Sequence, residues 1–258
     1  MAKSNLFKRT VTALILGPVV IGGIFLGFPY YNFLVLTVGA LLAWEWSNMV
    51  AADKKSVYAV IYTLSMSAAV MLQSWFGILL LTAFCMLVVF VKAHREEHKW
   101  LLVLGVPYIS IGVGSLMWFM IGFSPLAVLW LLLVVWSVDI GGYVVGVNVK
   151  GPKLAPKISP NKTWSGLIGG MLFAAAVGSA VAYIVHWSGY AYYAPIAAVL
   201  AIVEQIGDLI ESAVKRKVGV KDSSDLIPGH GGVFDRVDGL IFTTPVLLGC
   251  IILYSLYM

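Results

Sequence analysis

Residues 131–146 read LLLVVWSVDIGGYVVG, an apolar run with a single charge, Asp139. A membrane-spanning helix needs about 20 mostly apolar residues, and the run extends to fill 125–147. A carboxylate in such a segment is costly in hydrocarbon, so Asp139 is expected to face a polar interior and to have a function there. Gly141 and Gly142, directly after it, allow a close backbone approach or a break in the helix. This stretch already points to an all-α polytopic membrane protein whose helices enclose polar chemistry.

The rest of the chain agrees. Of 258 residues, 60% are hydrophobic and 11% charged, against roughly 25% charged in soluble domains. Aqueous single-domain readings are excluded. Hydropathy gives about nine spans: 11–29, 31–51, 57–73, 75–91, 101–122, 125–147, 164–187, 190–213 and 239–257. Residues 1–28 share a basic start and an apolar run with signal peptides. The run is long and lacks a small-x-small cleavage site, so it reads as the first span.

All 17 Lys and Arg fall before span one or in every second loop thereafter: Lys3–Arg9, Lys54–Lys55, Lys92–Lys99, Lys150–Lys162 and Lys215–Arg236. Loops rich in Lys and Arg stay cytoplasmic. The N-terminus is therefore expected inside, the C-terminus outside and both long polar loops in the cytosol. The net charge of +5 would lie on one membrane face, where it attracts anionic headgroups or nucleotides. No basic-aromatic surface is long enough for nucleic acid.

Two regions are expected. Residues 1–123, spans one to five, carry few polar groups. Glu45, flanked by Trp44 and Trp46, reads as an interfacial anchor. His94 and His98 have a metal-compatible spacing but read as a solvated helix face, and His186 as an interface residue. Cys85 and Cys250 fall inside spans and read as packing residues. Residues 124–258, spans six to nine with both long cytoplasmic loops, carry the chemistry.

Three features of the second region converge on phosphate and metal. The loop after span six, GPKLAPKISPNKTWSGLIGG, is expected to be irregular because it has three prolines. Ser159 or Thr163 could cap the following helix, whose free N–H groups favour an anion, and Lys162 adds a point charge for phosphate. In span eight, Glu204, Asp208 and Glu211 fall at i, i+4 and i+7, on one helix face. Three such acids repel unless a Lys, an Arg, a proton or a metal ion neutralises them. Then Ser212–Asp238, SAVKRKVGVKDSSDLIPGHGGVFDRVD, packs five cations and four carboxylates around a Pro-Gly-His-Gly-Gly turn. Lys215, Arg216 and Lys221 are phosphate-facing candidates. Asp222 and Asp225 are loop acids, Asp225 reading as solvated. The amides of Gly231 and Gly232 could form an anion nest. Asp235 and Asp238 open the last span, with Arg236 able to fork onto a phosphate or carboxylate.

These residues resemble a known family. Ser212-x-Val214-Lys215-Arg216, Lys221-Asp222, Pro228-x-His230-Gly231-Gly232 and Asp235-Arg236-Val237-Asp238 look like the signature of phosphatidate cytidylyltransferases, also called CDP-diacylglycerol synthases. Gly207-Asp208-Leu209-Ile210-Glu211-Ser212, Asp139, Tyr143 and the Ser159-Pro160-x-Lys162-Thr163-Trp164 turn look like the same family. The likeness is specific over about residues 135–240. Where the family's turn runs Lys-Lys-Thr-Trp-Glu-Gly, this chain has Asn161 and Ser165, leaving the roles of those two positions open. Gly239 stands where the family has Ser.

The resemblance implies transfer of the cytidylyl group of CTP to phosphatidate, giving CDP-diacylglycerol and pyrophosphate. It implies Asp208 and Asp235 as ligands of Mg²⁺, with a second cation such as K⁺. Lys215, Arg216, Lys221 and Arg236 would hold phosphates. Asp222, His230 and Asp238 would position groups or the metal. Asp139, Ser159, Lys162, Thr163 and Glu211 would serve substrate binding, with the Gly231 and Gly232 amides. A homodimer in the bacterial cytoplasmic membrane, with its active site facing the cytosol, is also implied. Two rivals remain. A CTP-dependent isoprenoid-alcohol kinase would share CTP, metal and membrane but not the full His-Gly-Gly-x-x-Asp-Arg-x-Asp run. An ion-coupled transporter would use Asp139 and Asp208 as relay groups and would not turn over nucleotide.

Overall fold

The computed structural model describes residues 2–72, 75–227, 229 and 231–257. Among them run nine α-helices: α1 (Ala2–Leu26), α2 (Tyr30–Val50), α3 (Lys55–Met71), α4 (Trp75–Lys92), α5 (Lys99–Gly122), α6 (Pro125–Val149), α7 (Trp164–Ile184), α8 (Tyr193–Lys217) and α9 (Phe234–Tyr257). Among the described residues six apolar segments are long enough to cross a membrane: Tyr30–Val50, Lys99–Gly122, Pro125–Val149, Trp164–Ile184, Tyr190–Lys217 and Phe234–Tyr257. Shorter apolar segments are Leu14–Leu26 and Phe76–Lys92.

The distribution of side chains is that of an integral membrane protein. Phe76 and Leu172 are 71% and 65% exposed, while Glu45 and Glu211 are 0% and 1% exposed. Water would reverse that order, whereas hydrocarbon tolerates apolar side chains outside and drives charge inward.

The chain forms two compact units. Unit one comprises residues 1–125 and 214–237; unit two comprises 126–213 and 238–258. In unit one, α2, α3 and α5 pack on one another, α4 lies on α3 and α5, and α1 lies on α2. Hydrogen bonds to backbone carbonyls tie this bundle. Tyr31 donates to Leu116 O at 3.0 Å, Tyr62 to Leu102 O at 2.6 Å and Trp46 to Leu101 O at 3.2 Å. Ser110 donates to Ser65 at 2.8 Å. Each places a donor where hydrocarbon offers no other partner.

In unit two, α6 and α7 cross on glycine. A Cβ at Gly169 would lie 2.9 Å from Gly141 O, and one at Gly166 the same distance from Gly142 O. Only glycine lets the two backbones approach so closely. Trp130 donates its indole N–H to Gly178 O at 2.9 Å.

The loop after α6 contains regular structure as well as irregularity, its two short strands pairing with a shift in register. It folds as an antiparallel pair, β1 (Lys153–Ala155) and β2 (Ser159–Thr163), with Lys153 opposite Thr163 and Ala155 opposite Ser159. The prolines sit where no ladder N–H is needed. Pro156 is in the turn closed by Ile158 N to Ala155 O at 3.1 Å, a position its fixed φ favours. Pro160 falls between Ser159 and Thr163, the paired residues of β2. The last helix begins at Phe234, five residues before the expected span, so Asp235, Arg236 and Asp238 lie in its opening turns.

Candidate active site

In unit two the acids of α6 and α8 converge. Asp139, Glu204 and Asp208 each offer a carboxylate oxygen, and the three oxygens lie within 4.8 Å of one another. Glu204 and Asp208 share a face of α8 because they are four residues apart. The α6–α7 glycine crossing lies beside Asp139 on α6 and at the start of α7, next to β2. Lys162, in β2, forms an ion pair with Asp208 Oδ2, and Ser212 donates to Asp208 Oδ1 at 3.1 Å. Asp238, in α9, feels the charges of Asp208, Asp139 and Lys162. Of these carboxylates, Asp208 is the one paired with the Lys162 ammonium.

Two glycines let α8 and α9 bring these groups together. A Cβ at Gly207 would lie 2.6 Å from Phe242 Cβ, and one at Gly239 2.7 Å from Glu204 Cγ. The absence of a side chain at 239 leaves room for Glu204.

Such an arrangement suits a hard cation. Oxygens bound to one Mg²⁺ at about 2.1 Å are about 3.0 Å apart when adjacent and about 4.2 Å apart when opposite, so the three carboxylates would have to draw together to share one ion. Carboxylates from two helices also give the oxygen-only donor set such an ion prefers.

Lys162, Thr163 and Ser159 belong to the hairpin. Thr163 is the N-cap of α7, its hydroxyl accepting from Gly166 N at 3.0 Å. Ser165 joins Thr163 at 3.0 Å and donates to Lys150 O, so it secures the hairpin's base. Asn161 is exposed, and Glu211 is buried in α8.

In unit one, the signature loop is closed on its own anions. Asp235 accepts from Lys215 Nζ at 2.6 Å on Oδ1. Its Oδ2 accepts from Ser223 N and Oγ, both at 3.0 Å, and from Gly232 N at 2.8 Å. The Gly232 amide expected to bind a substrate anion therefore binds the Asp235 carboxylate. Gly231 has φ +82°, and a Cβ there would lie 2.7 Å from Asp235 Oδ2, so glycine is required on both counts. Arg216 donates to Val220 O at 3.2 Å. Arg216, Lys221, Asp222, Asp225 and Arg236 are exposed. His230 and Pro228 lie outside the described residues.

Glu45 is not an interfacial anchor. It is fully buried and bonded to Ser223, Ser224, Val233 and Phe234. Its tryptophan neighbours suggested the membrane surface, but Trp46 packs inward against Tyr108 and Phe234, with ring centroids 5.6 and 5.5 Å away. Glu204 was visible in the sequence as part of the acidic face, but nothing there singled it out for the cluster with Asp139. Asp208 and Asp235, paired as ligands in the sequence reading, belong to unit two and unit one respectively.

Comparison with known proteins matches most of the length of the chain. A model of the cytidylyltransferase family aligns with residues 7–254. A phosphatidate cytidylyltransferase of Brucella suis is 36% identical over 252 residues, covering 95% of this chain and 92% of the relative. One from Pseudomonas aeruginosa is 34% identical over 258 residues, covering 93% and 94%. One from Rickettsia conorii is 32% identical over 252 residues, covering 95% and 90%. With a transmembrane helical fold, a carboxylate cluster suited to a hard cation and this near full-length match, the chain belongs to the cytidylyltransferase family and is a nucleotidyltransferase.

Proposed function

We propose that the protein transfers the cytidylyl group of CTP to phosphatidate, giving CDP-diacylglycerol and pyrophosphate for phospholipid synthesis. The observation that carries this reading is the Asp139–Glu204–Asp208 cluster with its Lys162 partner, in a chain whose relatives are named phosphatidate cytidylyltransferases. An oxygen of the lipid phosphate bonds to the α-phosphorus of CTP. The bond from that phosphorus to the β-phosphate oxygen breaks, and pyrophosphate leaves with the electron pair. The attacking phosphate is ionised at neutral pH, so no strong base is needed. Both reactants are polyanions, so the work lies in neutralising and aligning them.

Asp139, Glu204 and Asp208 would hold Mg²⁺, which supplies charge neutralisation at the phosphates. Lys162 balances the acids and offers its ammonium to phosphate. Asp238 adds negative charge to the same cluster. Arg216, Lys221 and Arg236 are proposed to hold phosphates, and Asp222 and His230 to position groups. Ser159, Thr163 and Glu211 are proposed to shape the substrate-binding region. Asp235, engaged by Lys215, Ser223 and Gly232, is proposed to fix Lys215. It would join the metal only by exchanging these partners. A second cation such as K⁺ and a homodimer belong to the same reading. So do nine spans with the N-terminus inside, in a bacterial inner membrane with the site facing the cytosol. The alternation of the loop lysines and arginines supports that orientation.

Detergent-purified protein given phosphatidate, Mg²⁺ and CTP labelled in the α-phosphate should move label into the lipid phase and release pyrophosphate. EDTA should abolish both. No lipid label, or lipid labelled only from γ-labelled CTP, would overturn the reading; the second result would indicate a kinase.

A further inference from the structure

We infer that Glu45, on α2, is a positioning residue of the transfer reaction, an inference that rests on the function proposed above. Its four bonding partners all lie within residues 223–234. Oε1 accepts from Ser224 Oγ at 2.6 Å and from Val233 N at 2.9 Å. Oε2 accepts from Ser223 Oγ at 3.1 Å and from Phe234 N at 2.7 Å. One carboxylate thus holds both ends of residues 223–234 within the signature stretch.

Three physical consequences follow. First, the amides of Val233 and Phe234 are among those that the start of α9 leaves without helical partners. Glu45 satisfies them with a full negative charge at the positive end of the helix dipole, as a capping residue supplied by a different helix. Second, Ser223 Oγ also contacts Asp235 Oδ2 at 3.0 Å, so Glu45 is linked through one hydroxyl to the carboxylate that fixes Lys215. Third, Phe234 is fully buried and stacks on Tyr108 with centroids 5.9 Å apart. The first turn of α9, carrying Asp235 and Arg236, is therefore fixed by the clamp and by aromatic packing together.

A role confined to packing does not account for this. A buried carboxylate is costly, and an apolar side chain of similar size would join α2 to its neighbours as well or better. What only the carboxylate supplies is four acceptor bonds to one segment, and that segment lies in sequence between Lys221 and Arg236, two of the cations proposed to hold phosphate.

The test uses the full-length protein in detergent, with Glu45→Gln and Ser224→Ala. Glu45→Gln keeps the size but turns one acceptor into a donor. It should lower kcat about ten- to hundredfold, the loss expected when a charge-assisted hydrogen bond that positions reacting groups is removed. Hydrogen exchange of the Gly232–Phe234 amides should rise while exchange in α3 and α5 stays as in the wild type. Ser224→Ala, which leaves the buried charge in place, should show a smaller loss of the same kind. In the double variant the two losses should combine to less than their product.

A Glu45→Gln protein that keeps wild-type kcat and KM for CTP overturns the inference. So does one whose loss is wholly a smaller folded fraction, with unchanged kcat per folded molecule. If Glu45→Gln does not fold, wild-type kinetics and exchange in Ser224→Ala overturn it instead. A wild-type protein that moves no cytidylyl group to phosphatidate overturns the proposed function itself, and the positioning role falls with it whatever the exchange shows.

Discussion

Asp208 has a different partner on each oxygen, Lys162 and Ser212, and it sits between two other acids. Asp208→Asn keeps the shape and removes the charge. It should lower kcat by at least about 100-fold at saturating CTP, the scale of losing a main electrostatic contributor in a low-dielectric site. Gly239→Ala is a subtler probe. Its Cβ would lie 2.7 Å from Glu204 Cγ, so Glu204 must move, and the Mg²⁺ concentration for half-maximal turnover should rise. An unchanged Mg²⁺ requirement would remove Glu204 from the cation site. At this scale the sequence singled out Asp139 as a lone charge in an apolar span and Asp208 as part of an acidic helix face, and the structure brings their carboxylates together. The sequence was not legible at Glu45, whose partners are 178 to 189 residues away and whose tryptophan neighbours imitate a membrane-surface belt. Nor could it show that the Gly232 amide would be taken by Asp235.

Among elements, the α6–α7 crossing places the hairpin that carries Lys162. Gly169→Leu puts a branched side chain where a Cβ already comes within 2.9 Å of Gly141 O. It should cost at least about 1–3 kcal/mol, read as a lower melting temperature in detergent with activity falling in parallel. Thr163→Ala removes the N-cap of α7 and should cost about 1 kcal/mol; wild-type melting and activity would show that Thr163 Oγ1 is dispensable. The helices themselves were readable from hydropathy because each is a long apolar run. The β1–β2 pair was missed because three prolines read as a loop, although a turn proline and one between paired positions remove no ladder donor. The start of α9 was placed late because Phe234–Asp238 carries three charges, and hydropathy scores charge rather than capping.

For the whole molecule, the expected topology puts every Lys and Arg on one side. In a cysteine-free background, single cysteines at Lys153 and Lys221 should react with a membrane-impermeant thiol reagent only in inside-out vesicles. Reaction of either from the outside would overturn the orientation. The fold class was legible because each span is a long apolar run, which hydrocarbon holds as a helix; among the described residues six segments meet the length and hydropathy of a span. That Val214–Val237 joins the first 125 residues was not legible, since its contacts with them are distant in sequence. The acid cluster of unit two is where the proposed chemistry meets the fold. The most direct measurement on it is Mn²⁺ binding to the detergent-purified protein by electron paramagnetic resonance, alongside Asp139→Asn, Glu204→Gln and Asp208→Asn. One bound Mn²⁺ per chain, displaced by Mg²⁺ and weakened in all three variants, is the predicted result. Wild-type affinity in all three variants would contradict it and place the cation elsewhere.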